Sequence, residues 1–220
     1  MSARATKSAS VRPVRRTTPL IAVLALALLT AAGCGSSAAK TGTPSAPTTN
    51  ATGFLGAAVL PPRPAQAIAL HDADGHPVTL AGQRGRYVLV TFLYTHCPDV
   101  CPLIASNLNA ALRALGPNRK NVRVLAVSVD PVGDTVAAVR AYEKRMHLVP
   151  QFRYLIGTRA ELRKVWARWS VLSVERNAGI VDHVAYTALI DTTGKERVLY
   201  GSHVRAQQVI HDLRRLMQTA

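Results

Sequence analysis

The residues best placed to do chemistry are two cysteines four positions apart, Cys97 and Cys101, in the run Thr-Phe-Leu-Tyr-Thr-His-Cys-Pro-Asp-Val-Cys-Pro at 91–102. Each is followed by a proline, Pro98 and Pro102, which has fixed φ and no N–H and so suits a helix's first turn rather than its interior. The run predicts a buried strand that stops, a stiff turn, and a helix beginning near Cys101. Thiols at a helix N-terminus face its free N–H groups and the positive end of its dipole, which favours thiolate. Thiolate binds soft metals and attacks disulfides, so the stretch is built for one or both.

The third cysteine, Cys34, belongs to a different signal. A basic region leads into the apolar run 20–32, shorter than the roughly 20 apolar residues of a membrane span but of the proportions of a secretory h-region. It ends Thr-Ala-Ala-Gly-Cys at 30–34, similar to a bacterial lipobox. Residues 1–33 are therefore expected to be a lipoprotein signal peptide. Cys34 would then be the lipidated mature N-terminus, anchoring the chain to the outer face of the cell membrane. Setting Cys34 aside leaves Cys97 and Cys101 to pair with each other or to share a ligand. A disulfide closing so small a ring adds little stability, which argues against a purely structural staple.

Residues 35–63 are Ser, Ala, Thr, Gly and Pro with Lys40 and Arg63 the only charges, so 34–64 is read as a flexible tether with a reach of roughly 30 Å. Phe54-Leu55 and Val59-Leu60 interrupt it as points able to dock on the domain. The formal charge is +15, and the first 33 residues hold five bases and no acid, which leaves 15 − 5 = +10 for the rest. That excess favours anionic partners. Nucleic acid is excluded as a partner because the bases are scattered, without an interleaved aromatic platform.

From residue 65 to 220 the pattern reads as one domain. A hairpin comes first, 67–70 and 77–80 around Asp-Ala-Asp-Gly. Apolar runs at 87–94 and 122–129 predict strands buried on both faces, and 152–156 a third. Between them Ile104, Leu108, Leu112 and Leu115 recur at helical spacing, as do Val136, Val139 and Met146 behind a cap at Asp134 or Thr135. Thr158 and Glu161 form a capping box for a third helix. A strand at 184–190, a turn, a return at 196–200 and a helix carrying Ile210, Leu213 and Met217 finish the chain. Hairpin, βαβαβα, then ββα is an α/β, thioredoxin-like layout: a mostly parallel central sheet flanked by helices, with an N-terminal β-hairpin. Ligands gather beyond the carboxyl ends of strands in such sheets, where the cysteine turn falls.

Two sulfurs rarely complete a metal site, so a third ligand is sought among seven histidines. His71, His76, His147, His203 and His211 read as surface residues, and His96 would have to fold back sharply. His183 stands immediately before the 184–190 strand, on the loop that faces the cysteine turn in this layout. Two thiolates and one imidazole are too few for closed structural zinc; they suit Cu(I) and tolerate Cu(II), which makes copper the best match.

Cys97-Pro98-Asp99-Val100-Cys101-Pro102, Ser128-Val129-Asp130-Pro131, and Asp182-His183 followed by Thr187-Ala188-Leu189-Ile190-Asp191 resemble the Sco/SenC family over roughly 65–217. Its members are thioredoxin-fold, membrane-tethered copper proteins of cytochrome c oxidase assembly. The resemblance implies Cys97, Cys101 and His183 as copper ligands and a supporting role for Asp130 near the site. It implies a monomeric chaperone that hands copper to the binuclear site of the oxidase's copper-binding subunit. Gly133 stands where the family commonly has a basic residue, and Val136 where a proline is common. The alternative is a thiol–disulfide reductase that uses only Cys97 and Cys101 to keep the acceptor's cysteines reduced. Peroxide reduction is excluded because no Arg and Thr cluster supports a peroxidatic thiolate.

Overall fold

In the computed structural model, residues 49–171, 173–175, 181–183 and 185–219 are described, with 173–175 and 181–183 described by backbone. The lipobox and Cys34 lie outside them.

Strand β4, Tyr87–Leu93, is the spine of the sheet, with all seven residues buried. Both its faces are covered, so apolar and polar residues do not alternate along it, and Thr91 alone interrupts the apolar run. It pairs in parallel with β5 (Val122–Ser128), and β5 in parallel with β6 (Phe152–Ile156). On the other side it pairs antiparallel with β9 (Tyr186–Ile190), which continues into β10 (Lys195–Gly201). The hairpin β2 (Ala69–Asp72) and β3 (Pro77–Thr79) closes the far edge against β6. Parallel neighbours require crossovers, and these are α1 (Val100–Ala114) and α2 (Val136–Arg145); α3 (Arg159–Arg168) follows β6 and α4 (Ala206–Gln218) follows β10. The α/β thioredoxin-like layout is thus as expected.

Helix α1 buries Ile104, Leu108 and Leu112. Burying each such side chain contributes about 1.5–3 kcal/mol. Thr158 and Glu161 make the capping box at α3. Two helical faces are turned from the expected ones. In α2 Val139 and Tyr142 are buried, whereas Val136, at the first helical position, is exposed. In α4 the core takes Val209, Leu213 and Leu216, and Ile210 and Met217 sit at the margin.

The boundary at residue 64 moves. Ala57–Pro64 forms a strand, β1, antiparallel to the outer side of β10, with Ala57 opposite Leu199 and Pro64 opposite Lys195. Phe54 is buried in the core, and the Leu55 and Gly56 N–H groups donate to the buried Asp212 carboxylate at 2.8 and 3.0 Å. The proline-rich composition concealed a strand because an edge strand tolerates proline on its unpaired side. The register slips between Ala58 and Arg63, where Pro61 and Pro62 sit.

The strand expected at 184–190 starts later, and a further short strand precedes it. β9 begins at Tyr186, and Val181–His183 (β8) pairs instead with Ser173–Glu175 (β7) in a separate two-stranded ladder, Ser173 opposite His183.

Candidate metal centre

After β4 the chain stays buried through Tyr94 and Thr95, surfaces at His96, and turns. Cys97 N–H donates to the Tyr94 carbonyl at 3.3 Å, which closes the turn. Cys97 is 9% exposed and Cys101 fully buried, and both are free thiols. Asp99 occupies the N-cap position of α1 without a side-chain cap; the Cys101 N–H donates instead to the Cys97 sulfur at 3.4 Å. Sulfur thus takes part of the capping role that an Asp or Ser oxygen usually fills. Pro102 falls in the first turn, where no N–H is required.

The two thiols are driven apart in acidity. The Cys101 thiol, hydrogen-bonded to Cys97, together with the backbone N–H groups of Asp99 and Cys101, pulls Cys97 down to about 6 against the opposing effect of burial. Cys101 is pushed far up, because its proton is the one shared with Cys97 and because it is buried. At neutral pH the pair therefore carries one thiolate and one proton.

The turn is held from below by Asp134. This buried carboxylate accepts the Thr95 N–H at 2.8 Å, the Ser128 hydroxyl at 2.6 Å and the Tyr154 hydroxyl at 3.0 Å. Tyr142 donates to the Cys101 carbonyl at 3.3 Å. Asp130 accepts the N–H groups of Val132 and Gly133 at 3.1 and 2.8 Å, shaping the loop after β5. Ligand atoms of His96, Asp130 and Asp134 lie within 4.8 Å of one another, which puts Asp130 beside the residue that precedes Cys97. A Cβ at Gly133 would crowd the Asp130 carboxylate, so a larger residue there requires that side chain to shift.

Of the three expected ligands, the fold brings Cys97 and Cys101 together at the start of α1. His183 ends β8, three residues before β9. Because β9 runs antiparallel to β4, with Thr187 opposite Thr91, its beginning lies at the end of the sheet where β4 releases the cysteine turn. His76, His147, His203 and His211 are exposed and His71 is half-buried, as expected of surface histidines. Asp134, Thr95 and Tyr142 were not singled out as site residues. Of the two candidate caps for α2, Thr135 takes the role by accepting the Ala138 N–H at 3.2 Å, which leaves Asp134 to the cysteine turn.

A thioredoxin-like sheet carrying a reduced Cys-x-x-x-Cys at the head of its first long helix defines a class of thiol and soft-metal proteins. Residues 62–218 match the family model SCO1/SenC, and the chain belongs to that family. It is similar to the copper-bound ScoI of Bradyrhizobium japonicum, with 32% identity, a TM-score of 0.61 and coverage of 69% of this chain and 98% of that one. The apo Sco1 of Thermus thermophilus matches with 32% identity and a TM-score of 0.64, over 74% of this chain and 96% of that one. The mitochondrial SCO2 homolog of Mus musculus is 31% identical over 154 residues, 67% of this chain; the match spans 60% of the mouse protein's length.

Proposed function

We propose that this protein is an exported, lipid-anchored copper chaperone that delivers copper to the binuclear copper site of cytochrome c oxidase. The observation that carries the reading is the pair of free thiols, Cys97 and Cys101, at the start of α1 in a chain 32% identical to a Sco protein that binds copper. Family membership supports the oxidase as destination. The lipobox ending at Cys34 supports the anchor.

The donor set fits the cargo. Soft thiolates select Cu(I), and an added imidazole admits Cu(II). The ligand set is Cys97, Cys101 and His183. Cys97 is already suited to receive the ion. Cys101 must give up its proton on loading, so binding releases protons and strengthens as pH rises. The same proton assists unloading. As an acceptor's thiols take the ion by ligand exchange, protonation of Cys101 restores its hydrogen bond to Cys97 and lowers the tendency to rebind. A reductase would also use a low-pKa Cys97, but the copper-bound relative favours metal transfer.

Metal analysis of protein purified under reducing conditions tests this reading. One Cu(I) per chain is expected for the wild type and none for the Cys97→Ser/Cys101→Ser double variant, because a hydroxyl is a hard, poorly ionised ligand. Stoichiometric Cu(I) in the double variant would sink the site.

A further inference from the structure

Four large apolar side chains stand exposed among the described residues: Leu60, Leu103, Val132 and Val136. Singly such residues are ordinary, whereas gathered in one place they mark an interaction surface. Three of the four fall around the cysteine turn. Leu103, 57% exposed, is two positions after Cys101 in the first turns of α1. Val132, 68% exposed, is in the loop after β5, and Val136, 41% exposed, opens α2.

The fold gathers them at one end of the molecule. β4 and β5 are parallel, so both release the chain at the same end of the sheet, and successive right-handed crossovers put α1 and α2 on the same face. The Tyr142 hydroxyl, donating to the Cys101 carbonyl at 3.3 Å, ties α2 to the first turn of α1. The loop carrying Val132 reaches the residue before Cys97, since a Cβ at Gly133 would lie 3.3 Å from the His96 Nδ1.

Positive charge is withdrawn from the same place. Beyond its first 33 residues the chain carries a net +10, yet 87–112 and 124–139, which hold these three side chains and both cysteines, contain no Lys or Arg. Arg145 approaches the turn, but its guanidinium donates to the Thr95 carbonyl at 3.4 Å and lies over the Tyr142 ring, 5.2 Å from the centroid. Cys97 is 9% exposed and Cys101 fully buried, so an acceptor's ligand atoms can share the ion only by seating on what surrounds the turn.

We propose that Leu103, Val132 and Val136 form the surface on which the copper acceptor docks, and that this acceptor is a polypeptide whose metal-binding loop is ringed by uncharged, apolar side chains. The inference rests on the copper-transfer reading and adds the chemistry of the encounter: apolar surface is desolvated, and the protein's positive charge plays no part.

Stopped-flow transfer of Cu(I) tests this, from the loaded protein to the reduced apo copper-binding domain of the oxidase subunit, with dithiothreitol as a small acceptor that needs no docking surface. The Leu103→Gln/Val132→Asn/Val136→Asn variant changes exposed positions only, and circular dichroism checks its fold. It should load one Cu(I) and pass it to dithiothreitol as wild type does, but pass it to the protein acceptor about tenfold more slowly, as expected when apolar contact area is lost. Leu60→Gln, on β1 and equally exposed, should transfer normally. Wild-type transfer to the domain should change less than about twofold between about 0.05 and 0.5 M NaCl, where charge-steered association falls steeply. The proposal is overturned if the triple variant serves the domain as fast as wild type, if Leu60→Gln slows it equally, or if transfer collapses with salt. Sedimentation velocity showing a wild-type dimer that the triple variant loses, with transfer unchanged, would assign the surface to a second copy instead. A wild type that loads copper but gives none to the domain would overturn the copper-transfer reading and this inference together.

Discussion

The Asp134 carboxylate accepts the Thr95 N–H at 2.8 Å, joining the loop after β5 to the residue two positions before Cys97. The contact spans 39 residues of sequence and fixes where the cysteine turn leaves the sheet. With the Ser128 and Tyr154 hydroxyls on its other oxygen, the carboxylate's hydrogen bonds draw on three separate segments.

Asp134→Ala should therefore cost about 2–4 kcal/mol of stability, since it leaves three buried donors without an acceptor. Asp134→Asn gives the pH dependence. Burial pushes the Asp134 carboxyl above its unfolded value of 3.8, despite hydrogen bonds from Ser128, Thr95 and Tyr154. A raised folded pKa contributes stability that is complete below the unfolded pKa and lost as pH rises through the folded one. The wild type should thus gain on Asp134→Asn as pH falls from 7 toward 4. Urea midpoints for both proteins across that range measure it, and a wild-type midpoint that falls relative to that of Asp134→Asn on acidification would contradict the assignment.

In metal-free, reduced protein Cys97 should react first with iodoacetamide, its rate rising through an inflection near the value of about 6 set by the Cys101 thiol and the local N–H groups. Cys101→Ala removes the largest of those influences and should move the inflection upward. Mass spectrometry of the peptide spanning 97–101 locates the label. A wild-type inflection in the ordinary thiol range near 8.5 would show that Cys101 does not share its proton.

His183→Ala should separate metal transfer from thiol exchange. Exchange requires one thiolate to attack and another to resolve, with no imidazole ligand. Cu(I) tolerates two sulfurs, whereas Cu(II) prefers more ligands including nitrogen. Expected are loss of Cu(II) charge-transfer absorption, weakened Cu(I) binding, and near-normal reduction of a model disulfide, with circular dichroism unchanged. An unaltered Cu(II) spectrum would remove His183 from the ligand set.

Cys34→Ala should leave copper binding intact and release the protein from the membrane fraction. Continued sedimentation with membranes after a salt wash would show that something other than a lipid on Cys34 holds it there.

The chain of residues alone determined the sheet and the cysteine turn. The run Tyr87–Leu93, apolar but for Thr91, can be satisfied only by a strand covered on both faces, and two prolines beside two cysteines leave little but a turn into a helix. Thr158 with Glu161 announced a helix start because capping is local chemistry. The tertiary structure decided what depends on distant partners. Ala57–Pro64 is a strand only because β10 offers it an edge, and Asp134 serves the cysteine turn only because Thr95, Ser128 and Tyr154 converge on it. The lowered pKa of Cys97 likewise arises from a thiol and backbone groups brought to it by the first turn of α1. Periodicity and capping report interactions within a few residues, whereas edge pairing, buried carboxylates and shared protons are set by groups that meet only when the chain has folded.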